Sequence, residues 1–257
     1  MIHIGTEYAA LLVDRGYRPA TVLRALPKPG GSVVAIASAP GGPASVSKTL
    51  FFSGYEWRIR DAPSDRGGWN LYSPDNAWTD PHGALHLRIA KGSGRWTCAE
   101  IALTRTLGYG TYSFVVRDIS HLEPAAVFSM FTWDYGGADQ NHREVDIEVS
   151  RWGDPTSRNA QYVVQPFYVP ENVDRFTAPP GALTFSFRWE PGRVLFRTVR
   201  ESGPDTGARL VAQHLFTLGV PSHGVETIRM DLYDFRSATE SLRQVAEIVV
   251  EKFQYLP

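Results

Sequence analysis

Along most of the chain, apolar side chains recur at every second position. Leu85, Leu87 and Ile89 alternate with His86 and Arg88, and Leu183, Phe185, Phe187 and Trp189 alternate with smaller or polar residues. A period of two is the signature of a strand that buries one face. The same reading predicts strands over 112–117, 127–133, 144–150, 161–168, 193–199, 227–232 and 248–253, separated by turns rich in Gly and Pro. No long helical pattern intervenes. That argues against a parallel sheet with crossover helices and for an all-β antiparallel sandwich or barrel.

The first 48 residues read differently. TEYAALLVDRG suggests a short helix capped by Thr6 and stopped near Gly16, and RPATVLRAL a second one with Pro19 at its start. PKPGGS and APGGPAS then read as linker. The expected organisation is an N-terminal extension over 1–48 followed by one β domain over 49–257.

At HREVDIEVSRWG the period of two is kept but its chemistry changes. Val145, Ile147 and Val149 form a buried face, while Glu144, Asp146 and Glu148 share the other. Such a row is spaced by about 6.6 Å per pair. Interacting carboxylates do not readily both ionise, so one is driven toward its neutral form. On a solvated edge strand, acids would guard against unwanted pairing, but such faces mix charge signs or carry Lys. Here the row holds acids only, beside His142 and flanked by Trp133 and Trp152. In a sandwich, neighbouring strands should turn polar and aromatic groups to the same side. Phe131 and Trp133 share a parity on one candidate neighbour, and Gln161 and Gln165 on another.

Two carboxyl groups flanking a glycosidic bond suffice for its hydrolysis, one protonating the leaving oxygen and the other attacking the anomeric carbon or activating water. In a flat strand the Cα atoms of Glu144 and Glu148 lie roughly 13 Å apart. A retaining pair needs its carboxyls about 5 to 5.5 Å apart, so sheet curvature and leaning side chains must close the gap. Asp146 between them is placed to set the protonation of both. A metal site built from the three acids and His142 is the rival reading. Calcium, however, is wrapped by oxygens from loops, whereas a straight strand presents ligands in a line.

Composition narrows the field by exclusion. The 257 residues carry 26 Lys and Arg against 27 Asp and Glu, a formal charge of −1, with no electrostatic footprint for nucleic acid or an anionic membrane. Aromatic residues make up 12%, with seven Trp, which suits both a sandwich core and flat platforms for a ligand. Cys98 is the only cysteine, so it is expected as a buried thiol rather than part of a disulfide or zinc site. No run approaches the roughly 18 apolar residues of a membrane helix. Glu7, Asp14, Arg15, Arg18 and Arg24 interrupt the first thirty residues in a way no secretory signal does. Localisation is left open.

The residues around the acidic row extend this picture. EVDIE at 144–148 resembles the E-x-D-x-E signature of glycoside hydrolase family 16, the clan of lichenases, laminarinases and plant xyloglucan transglucosylases. RWTCAEIALTRTLGYGTYSF resembles the family segment in which Cys-x-Glu precedes an FGYG-like turn, with Glu100 on the glutamate of the cleft. VFSMFTWD is similar to the strand that puts aromatics into the cleft, here Phe131 and Trp133. His142 stands where lichenases tend to carry Trp and the plant enzymes His. NAQYVVQPFY resembles the VQxNYY strand, with Gln161 on its glutamine, Val163 in place of its Asn and Gln165 in place of a Tyr. FSFRWEPGRVLFR resembles a strand pair that would put Trp189 on the cleft tryptophan. IRMDLYDF is similar to the MNLW strand, and Ala102 replaces an Arg of the lichenases.

The resemblance covers about residues 50–257. It implies a curved β-jelly roll of the concanavalin A-like type, Glu144 as nucleophile, Asp146 as its assistant and Glu148 as acid/base. Asn70, Glu100, Phe131, Trp133, His142, Gln161, Gln165 and Trp189 are expected to bind sugar. The expected activity is endo-acting, retaining hydrolysis of a β-linked, glucan-like polysaccharide by a monomer that binds neither nucleic acid nor membrane. No cofactor is required, a structural calcium is left open, and family resemblance suggests extracellular or periplasmic action. A non-catalytic glycan-binding jelly roll and a transglycosylase on the same scaffold are the alternatives.

Overall fold

The computed structural model describes residues 48–63, 70–92, 94–136, 140–200, 207–235 and 242–257. The two helices expected before residue 48, and Trp69, lie outside the described residues. Within them the chain forms sixteen strands. The first eight are β1 (Thr49–Phe52), β2 (Tyr55–Ile59), β3 (Ala77–Thr79), β4 (Leu85–Gly92), β5 (Arg95–Thr97), β6 (Ala99–Leu103), β7 (Gly110–Val116) and β8 (Ala126–Trp133). They are followed by β9 (Val145–Val149), β10 (Ala160–Val164), β11 (Val173–Phe176), β12 (Leu183–Glu190), β13 (Arg193–Arg200), β14 (Arg209–Phe216), β15 (Thr227–Asp234) and β16 (Ala246–Leu256).

Two antiparallel sheets result. The first has the order β1-β2-β6-β15-β8-β9-β10-β11, and the second β14-β13-β12-β7-β16-β4-β3, with β5 paired to β4. This is the expected β-sandwich. Neighbours far apart in sequence, such as β6 with β15 and β7 with β16, tie earlier strands to the last two. Short turns carry their usual chemistry: Ser53-Gly54 joins β1 to β2 with φ of 51° and 81°, the left-handed pair that a two-residue hairpin requires.

The inner faces meet in one apolar core. Ile147, Tyr162, Met130 and Met230 point inward from the first sheet, and Phe114, Phe187, Phe196 and Phe253 from the second. Contact across the gap is direct. The Tyr162 ring stacks on Phe196 with centroids 4.9 Å apart, and Trp57 meets Phe253 edge-on at 5.2 Å. Each such side chain contributes about 1.5–3 kcal/mol by leaving water. Tyr162 keeps its hydroxyl satisfied inside the core by a hydrogen bond with Thr198.

Three differences from the sequence reading have physical causes. The strand expected over 161–168 ends at Val164, because Pro166 supplies no backbone N–H and breaks the ladder. β1, β2, β3, β5, β6, β11 and β14 are not among the expected strands; DRF and the exposed edge of β14, for instance, alternate poorly. The largest correction concerns Trp189. It does not line a ligand face but lies fully buried in the core, its indole N–H donating to Pro221 O at 3.1 Å and its ring edge-on to Tyr109. It shares its strand parity with Leu183, Phe185 and Phe187, all of which point inward. Trp189→Ala is therefore expected to cost about 3–5 kcal/mol of folding stability. A urea titration checks this by a lower midpoint.

Candidate active site

The face of the first sheet that turns away from the core carries the acids. β9 lies between β8 and β10, so the side chains alternating with Val145, Ile147 and Val149 are Asp146 and Glu148, with Glu144 one residue before the strand. Backbone pairing extends past the strand, since Gln165 N donates to Glu144 O at 3.2 Å. All three acids are between 0 and 4% exposed. An outward face this well covered is recessed beneath its neighbours rather than solvated.

Strand register assembles the surroundings into rows. Across β6, β15, β8, β9, β10 and β11 the residues opposite one another are Glu100, Asp231, Ser129, Glu148, Gln161 and Arg175. The next row is Ala102, Arg229, Phe131, Asp146, Val163 and Val173. Trp133 and Thr227 begin a third, toward Glu144. The parities expected from the sequence for Phe131, Trp133 and Gln161 thus bring these residues beside the acids.

Glu148 has a defined partner. Gln161 Nε2 donates to Glu148 Oε2, and Gln161 Oε1 accepts from Arg175 Nε at 2.9 Å. The Arg175 guanidinium lies 4.5 Å over the Trp152 ring. Both ends of the Gln161 amide are therefore committed within the chain. Gln165, by contrast, uses its Oε1 to accept from Phe167 N at 2.8 Å, while its Nε2 makes no hydrogen bond. Ser129 Oγ, Trp133 Nε1 and Trp152 Nε1 are likewise buried polar atoms with no hydrogen bond to the described residues.

The chain enters β9 through an unusual turn. Gln140, Asn141, His142 and Arg143 all have positive φ, from 48° to 60°, which costs about 1–2 kcal/mol per residue that is not glycine. Local bonds offset that cost. Arg143 Nε donates to the buried Asp134 Oδ2 at 3.0 Å, its Nη1 to Gln140 Oε1 and to Ser222, and its carbonyl accepts from Thr132 Oγ1 at 2.7 Å. Gly224 is needed beneath it, because a Cβ there would lie 2.5 Å from Arg143 Nε. The result aims His142 flat onto Trp133, with centroids 4.1 Å apart and planes within 9°, and its Nδ1 bonds Asp134 O.

On the far side, Glu100 sits between two cations: Arg60 Nη1 at 2.6 Å and Arg229 Nη1 at 2.7 Å. Arg229 stands opposite Ala102 in the β6–β15 pair, which brings its guanidinium onto the same face as Glu100. The same guanidinium covers the Tyr135 ring at 4.3 Å. Nearby, Arg60 lies 4.5 Å over Tyr72. Burial, and after it the charges of Asp231 and Glu100, hold the Tyr72 hydroxyl well above the usual phenol range, so it remains a neutral donor. Asn70 is buried as well, donating to Asp234 O and accepting from Cys98 Sγ.

Sequence reasoning missed Arg60, Tyr72, Tyr135, Arg229 and Asp231. For two of them the signal was present. In IRMDLYD, Arg229, Asp231 and Tyr233 alternate with Ile228, Met230 and Leu232, the same polar-against-apolar alternation that marked the acidic row. Among the described residues, no three His, Cys, Asp or Glu side chains converge to hold a metal ion. No helix among them is long and apolar enough to cross a membrane.

No protein-family model and no curated protein sequence matches the chain. Solved structures do. The β-glucanase of Bacillus licheniformis superposes with a TM-score of 0.61 at 19% identity, covering 84% of this chain and 100% of that one. A β-1,3-1,4-glucanase (lichenase) derived from a mouse hindgut metagenome gives 0.58 at 17%, covering 80% and 94%. Rv0315 of Mycobacterium tuberculosis, described as an immunostimulatory antigen and pseudo β-1,3-glucanase, gives 0.55 at 13%, covering 76% and 88%. The chain thus has the jelly-roll fold of the β-glucanases.

Proposed function

We propose that the protein is a retaining glycoside hydrolase that cleaves β-linked, glucan-like polysaccharide within the chain. The observation that carries this reading is the row of Glu144, Asp146 and Glu148, buried together on the outward face of the first sheet. Burying like charges side by side is costly and has no benefit for the fold, whereas glycosidic hydrolysis needs two carboxyl groups in different protonation states. Glu144 attacks the anomeric carbon, Glu148 protonates the departing oxygen and then activates water, and Asp146 tunes its two neighbours. Buried donors at Trp133, Trp152 and Gln165 support a ligand rich in hydroxyls, which would satisfy them. Phe131 and the Trp133–His142 stack offer apolar surface to sugar rings.

A second reading has its own support. One structural neighbour is described as a pseudo β-1,3-glucanase, so this fold is not by itself a sign of glucanase activity. A non-catalytic glycan-binding protein would retain affinity for a polymer and release no new reducing ends. Assays over soluble β-glucans, xyloglucan and galactans separate the two: the hydrolase reading expects reducing ends and shorter chains from at least one polymer. Binding with no product across the panel contradicts it. Adding an acceptor oligosaccharide and looking for products longer than the donor tests transglycosylation.

The roles of the glutamates are tested by rescue. Glu144→Ala should reduce polymer cleavage to below about a thousandth, and azide should then yield an α-glycosyl azide from an activated β-glycoside. Glu148→Ala should still form the glycosyl-enzyme from such a substrate, and azide should release the β-glycosyl azide. Opposite anomers would reverse the two assignments. Asp146→Asn should slow polymer cleavage while the first-formed product stays β by proton NMR.

A further inference from the structure

Beyond the carboxylates, the geometry points to Arg175 as a positioning residue that decides which way the Gln161 amide faces, and so where the acid/base keeps its proton. The inference rests on Glu148 being the acid/base proposed above. Arg175 stands directly opposite Gln161 in the β10–β11 pair, as Gln161 stands opposite Glu148 in the β9–β10 pair. Three consecutive strands therefore carry one hydrogen-bonded chain from guanidinium to carboxyl.

An amide can present either its oxygen or its nitrogen to a neighbour, and the two faces act oppositely on a carboxylic acid. With Nε2 toward Glu148, the neutral acid accepts through Oε2, its carbonyl oxygen, and carries its proton on Oε1. That proton is then available to the glycosidic oxygen: as the carbon–oxygen bond breaks, Glu148 gives up the proton, the leaving sugar takes it, and the Glu144 carboxylate bonds to the anomeric carbon. With the amide turned over, Gln161 Oε1 would accept the acid's proton itself and hold it away from the substrate.

Nothing in Gln161 alone selects the productive orientation. Arg175 does, because a guanidinium has only donors. Turning the amide over would set its NH₂ against Arg175 Nε–H and lose the bond of 2.9 Å. The guanidinium in turn rests over the Trp152 ring, its central carbon 4.5 Å from the ring centroid. This gives Trp152, one turn beyond the acidic strand, a role in the same chain: it seats the cation that orients the amide.

Arg175→Met tests the assignment, since it removes the donor and keeps an apolar stem over Trp152. Two readouts are taken. The first compares kcat/KM for β-glucan with kcat/KM for a dinitrophenyl β-glycoside, whose leaving group needs no proton. The polymer is expected to lose about tenfold or more beyond any loss on the aryl glycoside; equal losses on both substrates, or none on either, overturn the proposal. The ratio is indifferent to the fraction of protein that folds. The second does not need turnover: in protein labelled with ¹⁵N and ¹³C, the Gln161 side-chain amide, assigned by its loss in Gln161→Leu, should correlate across its hydrogen bond with the Glu148 carboxyl carbon. Arg175→Met should abolish or weaken that correlation, and its persistence at full strength overturns the proposal. A wild-type protein that cleaves neither substrate defeats the hydrolase reading, while the amide correlation still decides the role of Arg175.

Discussion

Three carboxyl groups on one side of one strand, each almost fully out of water, are the constraint around which the rest of the first sheet is arranged. Desolvating a carboxylate is costly unless hydrogen bonds or opposite charges compensate it, and like neighbours raise that cost further. The sheet answers locally. Gln161 and Arg175 serve Glu148 from β10 and β11. Arg60 and Arg229 serve Glu100 from β2's end and β15. Arg143 serves Asp134 just before the row begins. Each cation sits on a different strand or turn, so the pairing pattern of the sheet is what sets Glu100, Asp134 and, through Gln161, Glu148 beside their partners. The second sheet contributes by packing: its phenylalanines hold the inner faces of β8, β9 and β10 flat against the core.

How much of this was legible depends on whether chemistry or exposure carried the signal. β9 and β10 are buried at every position, so their alternation is invisible as exposure. It was readable because one face is aliphatic and the other ionisable. β15 carries the same alternation with Arg229 and Asp231, and went unread as a site because only its likeness to a family strand was weighed. Trp189 shows the reverse error. Motif likeness assigned it to the ligand face, yet its parity with Phe185 and Phe187 already pointed inward. The left-handed turn at 140–143 had only a weak sequence signal, in Asn141 and His142, since none of its four residues is glycine; tertiary bonds from Arg143 hold it.

The likeness to glucanases, at 13 to 19% identity, is one of fold, and the same fold serves both a β-glucanase and a protein described as a pseudo-glucanase. What separates active from inactive members of such a fold is the site, not the sandwich. In this chain Glu144, Asp146 and Glu148 are buried side by side, Arg229 stands opposite Ala102, and Tyr135 adds an exposed ring beneath that guanidinium.

The central claim is that Glu144 forms a covalent bond to the sugar. The most direct measurement is trapping: the protein is incubated with an activated β-disaccharide carrying fluorine in place of the C2 hydroxyl, where the fluorine slows both formation and breakdown of a glycosyl-enzyme and the good leaving group restores formation alone, so that the intermediate accumulates, and its intact mass and peptide map are recorded. The account expects a gain of one fluorinated glycosyl unit, located on the peptide that contains Glu144 and absent from Glu144→Ala. A label on Glu148 instead, or full turnover of polymer by Glu144→Ala, would contradict it.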